Sequence, residues 1–194
     1  MKLACLSLTT AIATFGLTLP LIAQDDANVE AARDGIQGLK APPFGSTEWI
    51  QLPADKESIE ITDFAGKYVV ILFFQSTCEA SMKRAFPTMK KLVKKFGGET
   101  GIQFLAVQTP FEDFTDNTLS KLESTATSFD LNIPFGHLAK TKGFYSLNDA
   151  YDTAGTPWWV IVDKEGTVEY NGHFLNPEET EKNLENLLAG KPIE

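Results

Sequence analysis

The chain has 194 residues, of which 43% are hydrophobic and 11% aromatic, a composition that suits one ordinary globular domain and excludes a disordered, collagen-like or disulfide-stapled chain. Seventeen Lys and Arg against 26 Asp and Glu give a formal charge of −9. No long cationic cluster offers a surface to track phosphates, so nucleic-acid binding is disfavoured, and the same acidity weakens attraction to anionic lipid headgroups.

Lys2 is the only charge before Asp25, and the stretch between them is apolar, closed by Pro20 and Leu21-Ile22-Ala23-Gln24. That is a secretory signal-peptide pattern, with cleavage after Ala23 and residence in the periplasm, or export beyond it, as the expectation. Thr9, Thr10, Thr14 and Thr18 dilute the run. This argues against an uncleaved anchor, which needs about 20 apolar residues, so no stable membrane insertion is expected after cleavage. Removal of residues 1–23 takes Cys5 away and leaves Cys78 as the only thiol. An internal disulfide is then impossible, and Cys78 is reactive, bridges to another molecule, or is buried and inert.

Residues 24–47 are polar and then punctuated by Gly35, Gly38, Pro42, Pro43 and Gly45, which predicts an extension wrapping the surface without forming a core. Trp49 to Leu52 is a strand candidate, and Ser58 to Thr62 alternates with period 2 before the turn Asp63-Phe64-Ala65-Gly66-Lys67. Tyr68 to Phe74 is continuously apolar and β-rich, as a strand covered on both faces requires. After Gln75-Ser76-Thr77-Cys78, helical spacing runs from Glu79 to Phe96, with a kink predicted at Pro87 and a stop at Gly97-Gly98. Ile102 to Val107 is a second buried strand, followed by a helix from about Asn117 to Phe129 behind an Asp116 cap. A connection follows through Ile133-Pro134-Phe135-Gly136-His137 to Asp152. Trp158 to Asp163 and Thr167 to Asn171, joined by Lys164-Glu165-Gly166, read as an antiparallel hairpin. Asn176-Pro177-Glu178-Glu179 opens the last helix with a cap, a first-position proline and acids in the first turn.

The chemistry concentrates at Cys78. A cysteine between a buried strand and a helix N-terminus meets free backbone N–H groups and the positive dipole end, both of which favour thiolate. Glu79 opposes this by like charge, although Lys83, four residues on, can pair with Glu79. Ser81 can present its hydroxyl to the sulfur from the first helical turn. His137 and His173 are far apart in sequence, His137 reads as structural or exposed, and the two with one Cys do not make a zinc set. No metal and no cofactor are expected. No glycine-rich phosphate loop is present, and Glu112, Asp113 and Asp116 beside Phe111 and Phe114 read as a solvated acidic loop.

In their order and spacing, Asp63-Phe64-Ala65-Gly66-Lys67, Phe73-Phe74-Gln75-Ser76-Thr77-Cys78, Phe86-Pro87 and Gly155-Thr156-Pro157-Trp158 resemble the thioredoxin-like superfamily. The likeness is to the exported redoxins of the TlpA-like thiol–disulfide oxidoreductase group, which are related to the peroxiredoxins. The resemblance covers roughly Pro43 to Leu188. It implies an α/β domain over residues 48–190, with a central mixed sheet flanked by helices. It makes Cys78 the nucleophile of a Cys-x-x-Cys motif and Pro157 the cis-proline beside it, with Thr156 free to pair with an extended substrate. Thr77 and Trp158 complete the expected substrate contacts. The family's second cysteine is Ser81 here, its frequent proline is Glu79, and its usual tryptophan is Thr77. The implied activity is monothiol exchange through Cys78 with a protein or low-molecular-weight thiol or disulfide. Two alternatives stand beside it: thiol-dependent peroxide reduction through a Cys78 sulfenic acid, and a redox-inactive binding module that keeps only the groove. The peroxiredoxin threonine, three residues before the cysteine, is replaced by Gln75.

Overall fold

A computed structural model describes residues 35–111, 113–138 and 146–191; the proposed signal segment and the start of the extension lie outside them. Six strands form one mixed sheet: β1 (Glu48–Ile50), β2 (Tyr68–Phe74), β3 (Ile102–Gln108), β4 (Phe135–His137), β5 (Trp158–Val162) and β6 (Val168–Gly172), in the order β1-β4-β3-β2-β5-β6. β2, β3 and β4 are parallel, while β5 runs antiparallel to β2, β6 to β5 and β1 to β4. The helices are α1 (Phe86–Phe96), α2 (Leu119–Phe129), the short α3 (Leu147–Ala150) and α4 (Pro177–Leu188). This is the thioredoxin-like α/β architecture.

The unbroken apolar run of β2 follows from its central position. Successive side chains of a strand point to opposite faces, and both faces here carry a core. Val70, Leu72 and Phe74 pack with Phe86, Met89, Leu92, Leu122 and Leu184 from the long helices. Val69, Ile71 and Phe73 pack on the other face with Leu147, Tyr151, Val160 and Ile59. Phe44 is fully buried in this second core, so the stretch before residue 48 is not only a surface wrapping. Its attachment is specific: Gly38 N–H donates to Val168 O, Ala41 N–H to Gly166 O, and the Tyr151 hydroxyl to Pro42 O at 2.7 Å.

Three further elements differ from the sequence expectation. Ser58 to Thr62 is not a strand. Glu60 and Asp63 instead form a capping box around a 3₁₀ turn (Ile61–Phe64), and the Glu60 carboxylate also accepts from the Phe44 and Gly45 N–H groups. The alternating Ile59 and Ile61 are buried by that turn, so period 2 arose without a ladder. The helix after Cys78 contains a π turn (Ser81–Ala85) before α1. Pro87 has no N–H to give the Lys83 carbonyl, and its ring crowds that carbonyl; a widened turn relieves both. The connection after Ile133 contains β4, where Gly136 lies so close to β1 that a Cβ would stand 2.6 Å from Thr47 Cγ2.

Truncating Phe44 to Ala should cost about 3–5 kcal/mol, the usual effect of emptying a buried aromatic position. Denaturant unfolding of the variant measures it, and a loss within experimental error would show that this segment is not part of the core.

Candidate functional site

β2 leaves the sheet at Phe74, and the chain closes a turn in which Cys78 N–H donates to Gln75 O at 3.0 Å. The helix then starts at once, with Met82 N–H on Cys78 O at 3.1 Å. β5 is antiparallel to β2 with Phe73 opposite Trp158, so the segment entering β5 lies beside the segment leaving β2. That segment is Gly155-Thr156-Pro157. The Thr156–Pro157 peptide is cis, and Gly155 holds φ +143°, a region that side chains disfavour. Cys78 Sγ donates to the Thr156 carbonyl at 3.2 Å.

Opposing effects act on the Cys78 thiol, which is partly exposed. Partial burial pushes its pKa up; the side chains of Ser81 and Thr156 and the backbone N–H groups of Ser81 and Ala80 together outweigh burial, so it lies below the ordinary cysteine value. The bond from Sγ to Thr156 O is lost on ionisation, but a thiol is a weak donor, whereas bonds to a thiolate are charge-assisted. Ser81 is fully buried, and its Oγ has no hydrogen-bond partner among the described residues. Glu79 and Lys83 form an ion pair at 2.5 Å, but both are about three-quarters exposed and their net effect on the sulfur is small.

Thr77 is exposed, with its hydroxyl accepting from Asn117 Nδ2 at 3.1 Å. Thr156 and Pro157 line a groove between the π turn and α4, together with Ala80, Arg84 and His173. Trp158 is buried: its indole N–H donates to Asn171 Oδ1 and its ring meets the edge of His173, so a direct side-chain contact with a substrate is not available to it.

A polar network that sequence reasoning did not identify holds the loop from behind. Asn117, expected at the start of a helix, precedes α2, whose cap is Thr118 rather than Asp116. Asn117 Oδ1 accepts from Ser76 N–H at 2.7 Å. Gln108 Nε2 donates to Ser76 Oγ at 2.7 Å, and its Oε1 takes a hydrogen bond from His137 Nδ1 at 2.8 Å. His137 is therefore structural, buried at the end of β4. Its burial lowers its pKa, only partly offset by Glu48, and keeps it neutral. Among the described residues no cluster of His, Cys, Asp and Glu could hold a metal ion.

The redoxin family model matches residues 36–188. The chain is a member of the redoxin family. No curated protein sequence matches it. Among solved structures it is similar to a thioredoxin-like superfamily protein (23% identity, 80% of this chain and 99% of that one, TM-score 0.68). It is also similar to a thiol-disulfide isomerase from Corynebacterium glutamicum (21%, 84% and 98%, TM-score 0.60) and to a thioredoxin-like protein solved in its oxidised form (20%, 82% and 97%, TM-score 0.59). At these identities the likeness is one of fold.

Two outcomes follow. Ser81→Ala should move the pH midpoint of Cys78 alkylation upward and slow alkylation at pH 7 on the order of tenfold, the loss of one hydrogen bond to a charged group; an unchanged midpoint would remove Ser81 from the site. His137 has a folded pKa below its unfolded value, so the unfolded chain binds the extra proton first. Stability is then full above about pH 6.5 and declines as pH falls below it. Thermal melts from pH 7.5 to 5 should show this slope, reduced in His137→Gln.

Proposed function

We propose that this redoxin is an exported monothiol exchange enzyme, in which Cys78 attacks the disulfide of a protein or low-molecular-weight substrate. The observation that carries this reading is the position of Cys78 Sγ, 3.2 Å from the Thr156 carbonyl beside the cis Thr156–Pro157 peptide, with its thiol pKa lowered. An inert core cysteine would have burial, which raises the pKa, as its deciding influence.

The exchange has two steps. The Cys78 thiolate attacks one sulfur of R–S–S–R′, forming Cys78–S–S–R and releasing R′–S⁻. In a two-cysteine relative the second thiolate would now attack the mixed disulfide. Ser81 cannot, so a second substrate thiol, R″–SH, must attack as its thiolate, forming R″–S–S–R and returning the Cys78 thiolate. Ser81 serves both steps as the hydroxyl donor that steadies Cys78 when it is ionised. Thr156 and Pro157 flank the entering disulfide, and Thr77 stands at the exposed rim. Export rests on the apolar segment before Asp25, and the domain is taken as residues 48–190 behind a signal peptide of residues 1–23 and an extension of residues 24–47. No helix among the described residues is long and apolar enough to cross a membrane.

Incubation of the purified mature protein with glutathione disulfide, followed by mass spectrometry, should yield a Cys78 adduct that excess glutathione removes, and Cys78→Ser should yield none. Rapid oxidation by hydrogen peroxide to a sulfenic acid, without adduct formation, would instead establish the peroxidase. A thiol inert to both reagents would leave a binding module.

A further inference from the structure

His173 lies outside every motif that marks the family here, yet it reaches the same dipeptide that Cys78 touches. Cys78 Sγ contacts the Thr156 carbonyl at 3.2 Å, and His173 Nδ1 contacts the next carbonyl, Pro157 O, at 3.2 Å. A carbonyl only accepts, so Nδ1 carries the hydrogen and Nε2 is the nitrogen left for other work. The ring is held edge-on to Trp158, with centroids 4.5 Å apart, and a Cβ at Gly155 would stand 3.5 Å from His173 Cε1. The imidazole is thus fixed on the groove wall beside Thr156 and Pro157, while its exposure leaves it open to solvent and substrate.

We propose that His173 is the acid–base group of the exchange, taking the proton of the thiol that releases Cys78 and returning it to the thiolate that departs. This rests on the monothiol reading, which creates the need. With Ser81 in place of a second thiol, Cys78–S–S–R waits for an external R″–SH that arrives protonated, since an ordinary thiol near neutral pH is only a few per cent thiolate. His173 Nε2 accepts that proton. The R″–S⁻ formed attacks the sulfur of R, the R″–S–S–R bond forms, the Cys78–S bond breaks, and Cys78 leaves as the thiolate. R″ is oxidised and Cys78 is reduced. In the next cycle, the Nε2 proton passes to R′–S⁻ as that thiolate is expelled, which restores the neutral imidazole. The charged groups sharing the groove are Arg84 from the π turn, Glu169 from β6 and Glu178 and Glu179 from α4, and Cys78 meets its wall at the Thr156 carbonyl.

His173→Asn provides the test, because an Asn amide N–H can replace Nδ1–H on Pro157 O while removing the base. The probe is the pre-formed glutathione adduct of the purified mature protein, and its release by glutathione is followed by mass spectrometry from pH 5.5 to 8.5. The wild type should lose rate toward the acid end of this range, as release that depends on a proton acceptor requires. In His173→Asn that limb should vanish and release at pH 7 should slow on the order of a hundredfold, the usual contribution of a general base. Iodoacetamide alkylation of Cys78, which moves no substrate proton, controls for displacement of the loop. Release that keeps the wild-type rate and pH profile in His173→Asn would overturn the assignment and leave the exchange reading standing. Equal slowing of release and alkylation would make His173 a structural prop and overturn it too. A wild-type protein that forms no glutathione adduct would overturn the exchange reading and this inference with it.

Discussion

The antiparallel pairing of β5 against β2 is the constraint on which the site depends. β2 runs toward the end of the sheet where Cys78 emerges, and β5 enters the sheet at that same end, with Phe73 opposite Trp158. Residues separated by 78 positions in the chain therefore meet with no dedicated interaction to bring them together. The pairing is secured far from the chemistry, by apolar side chains on both faces of β2 and β5. Burial of one such side chain contributes about 1.5–3 kcal/mol, whereas a sulfur to carbonyl contact is weak. The core sets the position of the sulfur, and the contact registers it.

A strand pairing fixes where two loops meet but not their shape. The ends of β2 and β3 carry Gln75, Ser76 and Gln108, polar and largely buried. Buried polar groups without partners would cost more than their hydrogen bonds return; here Ser76 and Gln108 are joined through Asn117 and His137 into one network, and Gln75 Oε1 accepts from the Phe111 N–H. Because His137 donates through Nδ1, Gln108 must present its oxygen to His137 and its nitrogen to Ser76. That fixed sequence of donors and acceptors holds the turn before Cys78 to one conformation, a form of specificity that an apolar filling could not supply.

The legibility of this molecule in its sequence follows the range of the forces involved. The two-faced strand at Tyr68 to Phe74, the hairpin and the capped last helix announce themselves because their signals are local: an apolar run, a Glu-Gly turn, an Asn-Pro-Glu-Glu opening. Cys78 and Pro157 were readable from spacing against a known pattern. Ser58 to Thr62 misled because two isoleucines can be buried by a 3₁₀ turn as well as by a strand. Asn117, Gln108 and His137 were not identifiable as one network, since nothing local distinguishes a network member from a surface amide until the fold places them together. His173 was hidden for the same reason. Its role depends on a carbonyl sixteen residues away that becomes its neighbour only when β5 and β6 pair.

In the proposed exchange, Ser81 in the place of a second thiol changes more than the count of thiols. A buried thiol at that position could attack, leave and be oxidised; a buried hydroxyl can only donate or accept a hydrogen bond. Among the described residues Ser81 Oγ has no hydrogen-bond partner, so in the proposed exchange ionisation of Cys78 does not have to compete with an existing bond for it. Around the sulfur, burial alone would favour the neutral thiol, and the four hydrogen-bonding groups reverse that preference. In that proposal the serine keeps a hydrogen-bond donor beside the sulfur and lacks the thiol that would resolve the mixed disulfide. In the exchange proposed here, resolution comes from a second molecule, so turnover depends on access to the groove and on proton transfer within it.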